Sequence, residues 1–284
     1  MSRPKIVAGQ AALTAIVAAM DEEVAPLRER LVARASGSLC GRPLAFGRLG
    51  SAPVVLLVTG EGARNARGGL TSLLAQFPVS RILVAGVSGG LTPDVDVGSL
   101  VIGGRVVDVL DGSVRGADEA LVEAALRACH APRGVLVTAP RIADSAEEKE
   151  RLREAATRAC GGAAAPSAVD LESSIFADVA AGAGVPWVAL RAISDTAGES
   201  VPALLNRSRD EGGAIRRSRV VLGLLGDPRP LGRLLVLRRR VSTCALGLAR
   251  AVAQLVESLE PGDLPVTAGD GASSGRAAAV GTEV

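Results

Sequence analysis

Arg81-Ile82-Leu83-Val84-Ala85, followed at once by Gly86-Val87-Ser88-Gly89-Gly90, is the stretch on which the fold turns. A short, continuous apolar run suits a strand covered on both faces, and glycines at its end let the backbone turn or come close to a neighbour. The same pattern recurs on either side. Residues 13–19 read as a strand and 22–33 as a helix whose apolar positions Val24, Leu27 and Leu31 fall at helical spacing. Residues 53–59 read as a second buried strand running into Thr59-Gly60-Glu61-Gly62, with a helix over 64–76. Downstream, strands are expected at 100–109, 135–137 and 187–193, and helices at 117–129, 145–160, 169–183 and 242–259. Ser145 with Glu148 three residues later has the form of a capping box. Strands alternating with helices predict an α/β protein with both faces of a sheet covered.

The 284 residues, 48% of them hydrophobic, can bury the core of one large domain. We read residues 1–260 as a single domain and 261–284, which are Gly-, Ala-, Ser- and Thr-rich without periodicity, as a disordered tail. The 32 basic and 30 acidic residues are interspersed, so charge announces no nucleic-acid face. Cys40, Cys129, Cys160 and Cys244 lie too far apart for a zinc motif or disulfide framework. His130 is the only histidine, which leaves carboxylates to carry any proton transfer. Residues 11–20 follow Arg3 and Lys5 like a short secretory signal, but they run into Asp21-Glu22-Glu23 without a small-residue cleavage site. They read as a buried strand of a cytoplasmic protein. No apolar run reaches the roughly 18 residues that span a bilayer.

In an open α/β sheet, ligands collect beyond the carboxyl ends of strands, where helix N-termini present free N–H groups. Four clusters fall in such places: Asp21-Glu22-Glu23, Thr59-Gly60-Glu61-Gly62, Gly86-Val87-Ser88-Gly89-Gly90 and Ser194-Asp195. Asp170-Leu171-Glu172 adds carboxylates at the start of an otherwise apolar helix. Asp170 there suits a residue answering the helix dipole, whereas Glu172 could accept hydrogen bonds from sugar hydroxyls.

Taken in order, these motifs resemble the bacterial 5′-methylthioadenosine/S-adenosylhomocysteine nucleosidases and the wider purine nucleoside phosphorylase superfamily. The resemblance rests on Ala19-Met20-Asp21-Glu22-Glu23 with Leu27, Thr59-Gly60-Glu61-Gly62, Gly86-Val87-Ser88-Gly89-Gly90-Leu91 with Val97-Gly98-Ser99, Val169-Asp170-Leu171-Glu172-Ser173 and Arg191-Ala192-Ile193-Ser194-Asp195. It implies a three-layer α/β/α phosphorylase/hydrolase-like fold with a central mixed sheet, and N-glycosidic cleavage of a purine nucleoside. Asp195 then matches the general acid at the purine N7, and Ser194 the residue that positions it. Such an acid must hold a proton near neutral pH, which demands a partly dry pocket. Glu172 matches the carboxylate on the ribose hydroxyls, with Leu171 in place of the customary Met. Glu23 matches the acid that activates water, with Arg191 and Thr59 around it. Gly60, Ser88, Gly89 and Ile142 complete the expected substrate contacts. A homodimer is implied, with no metal or redox cofactor. A phosphorylase remains the alternative, with phosphate as co-substrate held by Arg64 or Arg191 and the N–H groups of the Gly60 and Gly89 loops. A degenerate nucleoside-binding module is the other.

Two departures bear on the substrate. The family stacks aromatic rings on the base, yet Arg141 stands where a Phe is expected, and a guanidinium could stack there instead. Residues 202–240 form a longer, Arg- and Leu-rich insertion, read as two short amphipathic helices. The insertion resembles the tail of hopanoid-associated phosphorylases, which act on adenosine joined to a polycyclic lipid. This implies a bulky or apolar 5′ group, and peripheral membrane contact through leucines flanked by arginines.

Overall fold

The structure, a computed structural model, describes residues 12–162 and 167–259; the tail expected over 261–284 lies outside them. The chain runs β1 (Leu13–Ala18), α1 (Asp21–Glu29), β2 (Val32–Leu39), β3 (Arg42–Leu49), β4 (Ala52–Val58), α2 (Ala63–Gln76) and β5 (Val79–Gly90). It continues with β6 (Leu100–Asp108), β7 (Val114–Gly116), α3 (Glu119–Cys129), β8 (Arg133–Thr138), α4 (Ala146–Ala159), β9 (Ser167–Asp170) and α5 (Ser173–Gly182). Last come β10 (Trp187–Asp195), α6 (Leu204–Arg207), α7 (Arg217–Gly226) and α8 (Leu231–Ser258).

All ten strands belong to one mixed sheet, in the order β10-β6-β8-β9-β5-β1-β4-β3-β2 with β7 beside β6. β5 is the fork. Its first part lies between β1 and β10, both parallel to it, while Gly89 and Gly90 at its end pair antiparallel with Val169 and Ala168 of β9. Because β10 also pairs with β6, the strands β5, β10, β6, β8 and β9 close into a ring. The carboxyl ends of β5, β9 and β10 are thereby drawn to one point.

Ile16, Val54, Leu56, Leu83 and Leu190 bury one face against α1 and α8. Ala15, Val17, Val55, Leu57 and Ile82 bury the other against α2 and α5. α8 spans 28 residues, about 42 Å at the helical rise. Its second half packs Leu248, Val252 and Leu255 into the core, whereas its first half stands away from it.

Several expectations are corrected. The first helix stops at Glu29, and residues 32–49 form the β2–β3 hairpin, which has no clear alternation because β2 is an exposed edge. Its two-residue turn, Cys40-Gly41, has positive φ at both positions (51° and 77°), as a tight antiparallel hairpin requires. Residues 169–170 finish the short strand β9 rather than opening a helix, and α5 starts at Ser173. The final helix begins at Leu231, so part of the expected insertion is its first three turns. Ser145 caps α4 as read, but Glu148 reaches the N–H of Asp144 (3.1 Å). Among the described residues no helix is long and apolar enough to cross a membrane.

Leu255 is fully buried where α8 meets the sheet, so Leu255→Ala should lower unfolding stability by about 2–5 kcal/mol, read from the denaturation midpoint. A change below about 1 kcal/mol would mean that α8 does not seal this face.

Candidate active site

A cavity of about 500 Å³ opens beyond the carboxyl ends of β5, β9 and β10. Glu23, Ser88, Gly89, Ile142, Leu171, Glu172, Arg191, Ser194 and Asp195 all line it, so most of the expected residues converge. Thr59 and Gly60 do not line it. The Thr59 hydroxyl is spent on the carbonyl oxygens of Ala18 (3.2 Å) and Gly60 (3.0 Å), which ties the end of β4 to β1. Arg64 is exposed and Arg141 turns outward to Glu148 (2.7 Å), so neither faces the cavity.

The carboxylates are held by backbone donors that the fold exposes. Glu23 is the third residue of α1; it receives the N–H of Met20 (2.9 Å) at the helix start and that of Val87 (2.8 Å) from β5. Burial pushes its carboxyl above the usual range, opposed by the nearby Arg191 guanidinium. Glu172 sits between β9 and α5, and accepts the N–H of Gly62 (2.8 Å). Burial raises it to about 7, with that N–H pulling the other way. Asp170 answers the α5 N-terminus as expected, accepting from the N–H groups of Glu172 (3.3 Å) and Ser173 (3.1 Å). It also forms a buried ion pair with Arg191 (2.8 Å), which composition did not foretell.

Two glycines on β5 make room for two side chains on β10. Gly86 is the register partner of Arg191, and a Cβ on it would lie 1.8 Å from Nη1 of that guanidinium and 2.9 Å from Glu23 Oε1. Gly89 is the partner of Asp195, and a Cβ there would come within 3.0 Å of Asp195 Oδ2. Asp195 accepts the Ser194 hydroxyl (2.6 Å) and is paired with Lys149 of α4. The partly dry pocket expected around Asp195 is present, but with an ammonium in it. The Ser88 hydroxyl is buried in the cavity wall with no partner among the described residues, a donor and acceptor open to a ligand.

Sequence reasoning missed Lys149, and it missed how the insertion closes the far wall. Leu234, Leu237 and Val241 repeat at helical spacing along α8 and face the cavity, joined by Leu205 and Ile215. Asn206 holds the backbone of Ile142 from both sides (3.1 and 2.8 Å), and Glu61 accepts the N–H of Ile215 (2.7 Å). The expected cover is therefore latched to the site at two points.

The forked mixed sheet and the carboxylate-lined cavity at its strand ends define the class: the chain belongs to the phosphorylase superfamily, whose family model matches residues 14–225, and is an enzyme of that kind. Among individual proteins it is similar to a 5′-methylthioadenosine/S-adenosylhomocysteine nucleosidase of Geobacillus thermodenitrificans, at 36% identity over 206 residues, 65% of this chain and 84% of the relative. The fold is shared with the nucleosidase of the same name from Neisseria meningitidis, solved with methylthio-immucillin-A (TM-score 0.68, 22% identity, 87% and 99% of the two chains). It is shared equally with futalosine hydrolase of Helicobacter pylori (TM-score 0.68, 20% identity, 88% and 99%).

Because Glu172 binds its proton more tightly folded than unfolded, its protonation stabilises the fold fully below about pH 4.5, and that contribution is lost as pH rises through about 7. At 1.36 kcal/mol per pKa unit, wild type should lose up to roughly 3 kcal/mol relative to Glu172→Gln between those limits in urea unfolding. Parallel pH curves for the two proteins would contradict the buried, raised carboxyl.

Proposed function

We propose that the chain hydrolyses the N-glycosidic bond of a purine nucleoside, most fittingly a 5′-modified adenosine, and releases the free base. The reading is carried by the convergence of Glu23, Glu172 and Asp195 on one cavity of about 500 Å³. Cleavage passes through an oxocarbenium-like state, in which carboxylates near the ribose stabilise positive charge while an acid protonates the departing base. Glu23 would orient water and take its proton. Glu172, near the midpoint of its titration at neutral pH, can both accept from and donate to the ribose hydroxyls. Asp195, fixed by Ser194, would deliver a proton to N7.

Water is favoured over phosphate because the backbone donors around the nucleophile site are already used by the protein's own carboxylates. The N–H groups of Val87 and Met20 go to Glu23, and that of Gly62 goes to Glu172. Arg191 is paired with Asp170. A phosphate dianion entering beside Glu23 and Glu172 would meet two acidic groups at close quarters.

The apolar wall of Leu205, Ile215, Leu234, Leu237 and Val241 supports a 5′ substituent that is greasy rather than charged. The names of the relatives, methylthioadenosine/adenosylhomocysteine nucleosidase and futalosine hydrolase, fit a 5′-modified substrate while differing in its identity.

The test is to incubate the protein with methylthioadenosine, adenosylhomocysteine, futalosine, adenosine and inosine, each with and without phosphate, and to identify the sugar product. Free sugar formed without phosphate is expected; a sugar 1-phosphate formed only with phosphate would make the enzyme a phosphorylase. Asp195→Asn should reduce turnover by about a hundredfold or more, since an amide cannot give the base a proton.

Leu237→Asp should raise KM for 5′-alkylthio-adenosines, and more so as the alkyl chain lengthens. An equal change for every chain length would remove this wall from 5′ recognition.

A further inference from the structure

Lys149 is one of two lysines in the chain and is only 1% exposed, although it belongs to a helix whose neighbouring Glu147, Glu150 and Arg151 face solvent. Its ammonium has two acceptors, the Asp195 carboxylate and the carbonyl oxygen of Thr196 (2.6 Å). The other cation near Asp195, Arg240, is engaged by both oxygens of Glu199 (3.0 and 2.8 Å). A buried ion pair is weak support for stability, because apolar residues of similar volume often serve as well or better. What distinguishes this one is its place, since Asp195 lines the cavity and Lys149 reaches it from α4 without lining the cavity itself.

Building on the proposed reaction, we propose that Lys149 is a positioning residue that holds Asp195 in place and resupplies it with the proton passed to the leaving base. As the C1′–N9 bond breaks, its electron pair leaves with the purine; Lys149 Nζ passes a proton to the Asp195 carboxylate, which hands a proton on to N7. Asp195 ends as it began, and Lys149 becomes a neutral amine. The attacking water forms the new bond to C1′ and gives its proton to Glu23. After the products leave, Glu23 loses that proton to solvent and Lys149 regains one. A lysine suits this task where arginine would not, because an ammonium can give up a proton in a protein interior and a guanidinium cannot.

The test compares leaving groups in the full-length protein. Methylthioadenosine needs a proton on its base, whereas 4-nitrophenyl riboside releases a stable phenolate that needs none. Lys149→Met should lower kcat on methylthioadenosine by about a hundredfold with KM changed less than about threefold, and leave hydrolysis of the nitrophenyl riboside within about threefold of wild type. Lys149→Gln, which keeps a polar donor, should show the same selective loss and serves if the Met variant fails to fold. Equal losses on both substrates, or no loss on either, would overturn the assignment and leave Lys149 as a structural partner of Asp195. A wild-type protein that cleaves no purine nucleoside would overturn the proposed reaction itself, and the relay with it.

Discussion

Four carboxylates, Glu23, Asp170, Glu172 and Asp195, are buried at one end of a single sheet, and the cost of keeping like charges out of water governs this half of the molecule. Each is met by a donor that the architecture brings there. Met20 and Val87 offer N–H groups to Glu23, Gly62 offers one to Glu172, Arg191 pairs with Asp170, and Lys149 pairs with Asp195. The division is chemically useful. Neutral donors leave Glu23 and Glu172 with carboxyls raised by burial, whereas full cations answer the other two acids.

The fork at β5 makes this arrangement possible. A strand long enough to pair with β1 and β10 along its length and with β9 at its tip draws three strand ends together. Glycines must stand at 86 and 89 because the side chains opposite them, Arg191 and Asp195, need the space that a Cβ would fill. The glycine-rich stretch is therefore less a turn than a smooth strand face on which charged groups of the next strand lie.

The apolar wall of the cavity lies in a different part of the molecule, with a different composition. Leu234 and Leu237 turn inward to the cavity, while Leu222, Leu225 and Leu235 and most of the insertion's arginines face outward. The carboxylates sit at strand ends and helix starts around the sheet, and the apolar wall sits on helices latched through Asn206 and Glu61. The wall and the carboxylates therefore hang on separate sets of contacts.

The amino-acid sequence by itself determined the alternation of buried strands and helices, because continuous apolar runs and helical spacing are local patterns. It also marked Glu23, Ser88, Gly89, Ile142, Leu171, Glu172, Arg191, Ser194 and Asp195, whose ordered motifs stand at strand ends where ligands collect. It carried the first helix on to residue 33 and left 34–49 unassigned, since an exposed edge hairpin has little hydrophobic period to read, and it made 169–170 a helix start, where a four-residue strand is too short to tell apart. Only the tertiary structure decided that Thr59 serves the β1–β4 junction, that Arg141 points to solvent, and that Lys149 reaches Asp195 across 46 positions of chain. Thr59 meets Ala18 because β1 and β4 pair, and Lys149 meets Asp195 because the closed β5–β10–β6–β8–β9 ring brings α4 beside the end of β10; a pairing between distant residues leaves no periodic trace in either of the segments that make it.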